Sequence, residues 1–144
     1  WVGAGTTLDI MPSEAGVLSF HNRWYPLAVA TAQPIRLPSG RVIALIAAPV
    51  FLATKLEAFR DRGKNDFLAS HDLEDIITVV DGRPELIDEV RAASTELREY
   101  LATALRTLIN TPAFLDALPG HLPGDAASQG RVPQLTRRLR EIGQ

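Results

Sequence analysis

Four charged side chains in this sequence are of types, and in places, that could handle phosphate groups. Asp9 falls within a predicted strand, Lys55 borders an apolar helical stripe, and Asp72 and Asp75 fall near the start of a predicted helix. Carboxylates on a rigid strand are suitable Mg²⁺ ligands, and lysine recurs in phosphate sites. If the four converge on one cleft, they predict a site for phosphate chemistry.

Asp9 has two interpretations. In a strand running from Thr6 to Met11, side chains alternate between faces, so Asp9 lies opposite Leu8 and Ile10. An aspartate in such a position is commonly an exposed residue of an edge strand. The alternative is a metal ligand that the strand holds in place.

Lys55 stands out because lysine is rare in this chain. Lys55 and Lys64 are the two lysines among fifteen basic residues. A lysine beside an apolar stripe usually lays its stem over apolar surface and leaves its ammonium in water. The alternative is a phosphate contact. Lys64 and Asp66, in a predicted loop, could join the same site or face solvent.

Asp72 and Asp75 also have a structural explanation. Acidic residues in a first helical turn interact favourably with the helix dipole, by about 0.3 to 1 kcal/mol each. At helical spacing these two carboxylates lie roughly 60° apart, and we predict that they point away from the apolar stripe of the same helix. That stripe consists of Leu73, Ile76, Ile77 and Val80.

Arg23 belongs to a further cluster with Asn22, Trp24 and Tyr25. Neighbouring aromatic residues are most often core anchors. They could instead stack on a nucleotide base, with Arg23 contacting a phosphate.

Several function classes are disfavoured. The histidines at 21, 71 and 121 form no pair at metal-ligand spacing, which argues against a zinc hydrolase. The sequence has no cysteine, no nucleophile elbow and no glycine-rich phosphate loop. Its net charge is −2, so the whole chain is not a basic nucleic-acid binder. No apolar run is long enough to span a bilayer, so we expect no membrane partner and a cytoplasmic location.

The pattern of predicted elements is α+β, with strands first and helices afterwards. Residues 1–47 supply a hairpin over 1–11, a short helix opened by Ser13, a helix from a cap at Asn22 to Ala32, and strands over 33–37 and 41–47. Residues 48–144 form a helical region with a loop around 119–130. Its predicted helices cover about 48–63, 70–81, 84–93, 94–108, 111–118 and 133–142.

The order of four segments resembles the second half of an AbiEii-type nucleotidyltransferase, in the DNA polymerase β-like superfamily. The segments are LDIMP, FHNRWYP, APVFLATKLEAFRDRG and SHDLEDIITVVDGR, within residues 1 to about 90. The resemblance implies a partial nucleotidyltransferase-like sheet before the helical half. It implies that Asp9 ligates Mg²⁺, that Lys55 contacts a nucleoside triphosphate, and that Asp72 and Asp75 support it. It also implies an acceptor such as tRNA and an antitoxin protein as partner.

The chain departs from that family's pattern at His71, which stands where the family's Arg-Asp-x-x-Asp-Leu signature has arginine, and more severely before Asp9. No Gly-Ser followed by an Asp-x-Asp pair precedes Asp9. Since nucleotidyl transfer depends on metals that position the phosphates, we expect little or no transferase activity from this chain alone. The alternative function is a non-catalytic module that binds nucleic acid or a partner protein through its helical half and the arginines 131, 137, 138 and 140. A third possibility is a folded domain without a ligand.

Overall fold

The computed structural model describes residues 22–63 and 65–144, together with the backbone of the strands β1 (Val2–Gly3) and β2 (Thr6–Thr7). β1 and β2 pair antiparallel, with Val2 opposite Thr7, as the predicted hairpin requires. The predicted extension of β2 to Met11, which includes Asp9, lies outside the described residues. So do the predicted helix at Ser13 and the side chain of Lys64.

A second hairpin follows the first described helix. Helix α1 covers Tyr25–Thr31, and strands β3 (Gln33–Arg36) and β4 (Val42–Leu45) pair antiparallel, slightly shorter than predicted. Gly40 in the connecting turn has a φ of 81°, a left-handed conformation that glycine adopts without steric cost. Asn22 does not cap α1 as predicted, because its side chain accepts from the Trp24 amide and Trp24 itself is the cap residue.

Helices make up the remainder of the chain. The helices are α2 (Ala48–Arg62), α3 (His71–Gly82), α4 (Leu86–Ala92), α5 (Thr95–Ile109), α6 (Pro112–Ala117), α7 (Ala126–Gln129) and α8 (Val132–Ile142). The hydroxyl of Ser70 accepts from the amide of Leu73 and caps α3, where the sequence places the start of this helix, and the hydroxyl of Ser94 accepts from the amide of Leu97 and caps α5. A small antiparallel sheet beside this helical body makes the fold α+β, as predicted.

Two predicted boundaries differ from the structure. α4 begins at Leu86 rather than at Pro84. The segment predicted as a loop around 119–130 contains a 3-10 turn, Leu118–His121, and the short helix α7. Leu118 and Leu122 are buried there, so tertiary packing orders a segment whose glycines and prolines indicate a loop.

Helix α2 lies at the centre of the fold. It packs against α1, α3, α4 and α5, and residues on all of its sides are buried, among them Leu52, Leu56 and Phe59. A helix that is buried on several sides needs neighbours on each of them. Lys55, Glu57 and Arg62 of α2 reach side chains of those neighbours, and they position both clusters described below. No helix of the described part of the chain is long and apolar enough to cross a membrane.

Candidate functional site

The Lys55 side chain reaches from α2 to the first two turns of α3. Its Nζ lies 2.5 Å from Oδ2 of Asp75 and 3.6 Å from Oδ1 of Asp72. The ammonium also lies 5.6 Å from the centre of the Phe51 ring. The structure thus brings together three of the four residues singled out in the sequence, while Asp9 falls outside the described residues. We call Lys55, Arg62, Asp72 and Asp75 the Lys55 cluster.

Asp72 is buried, which corrects the prediction that it points away from the apolar stripe. It is 6% exposed, one helical turn before the buried Ile76. At that spacing Asp72 lies on the edge of the stripe, where α2 packs over it. Arg62 satisfies the carboxylate with two hydrogen bonds, from Nε to Oδ2 at 3.0 Å and from Nη2 to Oδ1 at 2.9 Å. These hydrogen bonds from Arg62 to Asp72 are the main reason why the pKa of Arg62 is raised above its ordinary value.

The two acids of this cluster differ in exposure. The Asp72 side chain is 8% exposed and the Asp75 side chain 44%. An exposed ion pair contributes roughly 0 to 1 kcal/mol, whereas a buried carboxylate depends strongly on its partners. Lys55 therefore has a fixed partner in Asp72 and an exchangeable one in Asp75. Another anion could replace Asp75 at the ammonium without disturbing the buried pair.

The side chains of the Lys55 cluster do not fit a magnesium ion. Both acids already face cations, and no group of three or more His, Asp or Glu side chains among residues 22–63 and 65–144 is arranged to hold a metal. Magnesium prefers several oxygen ligands in octahedral geometry. The predicted Mg²⁺ ligand, Asp9, lies outside the described residues, so that assignment stays a prediction.

Arg23 lies in a second cluster, between α1, α2 and α5. Its guanidinium carbon is 4.8 Å from the centre of the Trp24 ring and 4.6 Å from that of Tyr100. Its Nε is 3.8 Å from a carboxylate oxygen of Glu57. Trp24 is 4% exposed, which confirms it as a core anchor and leaves no open face for a nucleotide base. The role of Arg23 in nucleotide binding stays a prediction.

Glu57 is the buried acid of this second cluster. It accepts a hydrogen bond of 2.8 Å from the Tyr100 hydroxyl and one of 2.5 Å from Arg60. Lys55 and Glu57 stand two positions apart on α2, so their side chains project about 160° apart around the helix axis. The Lys55 cluster accordingly faces α3. The second cluster, which we call the Glu57 cluster and which consists of Glu57, Arg23, Arg60 and Tyr100, faces α5.

Arg62, Glu57 and Tyr100 were not identified from the sequence. Arg62 stands seven residues after Lys55, and that spacing puts both on the same face of a helix. This signal could have linked them. No comparable pattern joins Glu57 to Tyr100, because they are 43 positions apart and meet only when α2 packs on α5.

Several other residues considered in the sequence have local roles. Asp66 accepts from the amides of Leu68 and Ala69 and so stabilises a turn. Exposed His71 pairs with Glu74 at 3.2 Å. Of the tail arginines, Arg131 pairs with Asp81 and Arg138 donates to the carbonyl of Arg83. Only Arg137 and Arg140 among those four are exposed without a side-chain partner in the described residues.

The pH dependence of stability at alkaline pH tests the burial of Tyr100 and its hydrogen bond to Glu57. Burial first, and then the hydrogen bond to Glu57, raise its pKa well above the ordinary value of 10.0. Above pH 10 the unfolded chain loses the phenol proton and the folded chain keeps it. The free energy of unfolding should therefore fall with rising pH, by up to about 1.4 kcal/mol per pH unit. Urea titrations between pH 9 and pH 11 measure this slope.

The chain offers a matched control for that measurement. Tyr100→Phe should remove most of the slope above pH 10, although it also destabilises the protein at neutral pH by leaving Glu57 with one donor fewer. Equal slopes in the wild type and Tyr100→Phe would contradict the assignment.

Comparison with family models, with curated proteins and with solved structures finds no match for this chain.

Proposed function

We propose that this chain supplies phosphate-contacting residues of a nucleotidyltransferase. Lys55 contacts the triphosphate of a bound nucleoside triphosphate, Asp72 orients the ammonium, and Asp75 pairs with the ammonium until a phosphate oxygen takes its place. The observation that carries the proposal is the position of the Lys55 ammonium, 2.5 Å from Asp75 and 3.6 Å from Asp72.

The exposure of the cluster supports the same role. The Lys55 side chain is 26% exposed, so its ammonium can reach a ligand in solution. A phosphate oxygen that displaced Asp75 would replace one charge-assisted hydrogen bond with another. Asp72 would meanwhile keep its bidentate contact with Arg62 and hold the base of the site in place.

The reaction class is transfer of a nucleoside monophosphate, in which an acceptor oxygen attacks the α-phosphorus and pyrophosphate leaves. The proposed acceptor is tRNA, with an antitoxin protein as regulatory partner and the cytoplasm as the location. The requirement for Mg²⁺ depends on Asp9. The cluster itself supplies only cationic contacts to phosphate and the carboxylates that orient them.

ATP binding measured by calorimetry tests the role of Lys55. Lys55→Met keeps the length of the stem and its packing but removes the charge, so we expect ATP affinity to fall about tenfold or more. Asp75→Asn should raise ATP affinity severalfold, because it releases the ammonium and removes a competing negative charge. The two substitutions thus shift affinity in opposite directions.

Glu74→Gln is the control for this pair of variants. It removes the same charge from the same helix, and its side chain is 60% exposed and pairs with His71 rather than with Lys55. An increase with Glu74→Gln as large as that with Asp75→Asn would show general electrostatics and contradict the proposal. Unchanged ATP affinity in Lys55→Met would also contradict it.

A tRNA-binding measurement tests the binding-module alternative. That alternative would be favoured if the double variant Arg137→Ala with Arg140→Ala lost tRNA binding while Lys55→Met kept it.

A further inference from the structure

A cleft of about 440 Å³ opens between α2, α5 and the segment that leads from α2 to α3. Its floor is apolar and largely aromatic. The floor residues are Leu56, Phe59, Phe67, Tyr100, Ala104 and Leu108. The volume lies within the range of roughly 300 to 1,000 Å³ that is typical of pockets for small organic molecules.

The rim of the cleft carries unused hydrogen-bonding groups. The side chains of Asp61, Asn65 and Thr103 line it, and none of them makes a side-chain hydrogen bond to any described residue. One nitrogen of Arg60 donates a hydrogen bond to Glu57, which leaves the other N–H groups of the guanidinium available as donors. The rim therefore offers a carboxylate acceptor, a guanidinium donor, and an amide and a hydroxyl that can do both.

Asn65 occupies a backbone conformation that few residues adopt. Its φ is 59°, the one positive value outside glycine in the described chain. Asparagine tolerates this left-handed region better than most residues, but glycine would hold it with less strain. This conformation holds the amide of Asn65 at the rim, where its oxygen can accept and its nitrogen can donate a hydrogen bond.

We infer that this cleft binds a planar nitrogen heterocycle whose edge carries both hydrogen-bond donors and acceptors. The aromatic rings of the floor favour a flat ring. Phe67 is only partly buried, whereas Phe59, whose ring centre is 5.7 Å away, is 8% exposed, so a flat ligand would stack on Phe67. The rim groups then distinguish a heterocycle from a plain hydrocarbon, because Asp61 can accept a hydrogen bond from its edge and Arg60 can donate one to it.

This inference is independent of the nucleotidyltransferase proposal. The cleft is lined by the α2 residues that face α5, whereas Lys55 faces α3. Lys55→Met should therefore leave binding in the cleft unchanged. A large loss of binding in that variant would overturn the separation of the two sites.

Adenine is a suitable probe, with indole as a flat ring that lacks an acceptor edge. Calorimetry on the full chain should show adenine binding in the millimolar range or tighter, and clearly weaker binding of indole. Asp61→Asn should weaken adenine binding about tenfold, since it removes a charged acceptor. Asp116→Asn, the same exchange on exposed α6 outside the cleft, should have no effect.

Two further variants separate binding from folding. Asn65→Gly should weaken adenine binding severalfold while leaving the protein as stable as the wild type or more so, because it relieves the left-handed strain. Thr107→Phe places a ring in the cleft from an exposed position of α5 and should abolish binding. Absence of adenine binding to the wild type, indole binding as tight as adenine, or unchanged adenine affinity in all three cleft variants would each overturn the inference.

Discussion

Replacing Asp72 with asparagine is expected to lower the free energy of unfolding by about 1 to 2 kcal/mol, because it breaks a buried, charge-assisted contact across α2 and α3, although the Arg62 side chain, 55% exposed, stays partly hydrated. The asparagine carbonyl can still accept one hydrogen bond. Its NH₂ group, however, would face the Arg62 guanidinium, which also donates. One of the two hydrogen bonds is therefore lost, and two donors face each other in its place. The side chain is 8% exposed, and little water can reach it to compensate.

Asp75→Asn provides the comparison on the same helix. The Asp75 side chain is 44% exposed and its pair with Lys55 lies at the surface, so the expected loss is below about 1 kcal/mol. Urea unfolding followed by circular dichroism measures both variants. If Asp72→Asn and Asp75→Asn destabilised the protein equally, burial would not be what separates the two acids.

Local features of the fold could be predicted from the sequence. Ser70 and Ser94 are placed before apolar stripes with helical spacing, and both act as helix caps in the structure. The stripe of α3, formed by Leu73, Ile76, Ile77 and Val80, is buried as predicted. In these cases the interacting residues are three or four positions apart, so the pattern can be recognised in the sequence alone.

The surroundings of Asp72 could not be predicted in the same way. Its position in a first helical turn indicates a solvated acid that interacts with the helix dipole. The structure instead buries it, because α2 packs across that edge of α3 and presents Arg62. Whether an acid at the border of an apolar stripe is exposed depends on which helix covers it, and that is decided by contacts distant in sequence.

Helix α2 explains why the two polar clusters stay separate. Neighbours surround it, so its polar residues must either reach the surface or find partners on the adjacent helices. Lys55 and Arg62 find them on α3, and Glu57 finds them on α5 and in Arg23. A helix with this arrangement can carry a phosphate contact on one side and the cleft on the other without one disturbing the other.

Trp24→Ala is expected to cost about 3 to 5 kcal/mol of stability, the range found when a large aromatic side chain is removed from a core. Trp24 is 4% exposed, and its ring centre lies 5.0 Å from that of Tyr100. Its loss would leave a cavity between α1 and α5 and remove one of the two rings that contact Arg23. Thermal or urea unfolding of the variant measures the change.

Trp24→Phe distinguishes this packing role from a polar one. The indole Nε1 is buried and has no hydrogen-bond partner among the described residues, so removing it relieves the cost of an unsatisfied donor. That gain offsets part of the cost of the small cavity that phenylalanine leaves. We therefore expect a net loss of stability of about 1 kcal/mol or less. Were Trp24→Phe to cost as much as Trp24→Ala, the indole N–H would be making an essential hydrogen bond, and ring packing would not be the reason why this tryptophan holds α1 against the core.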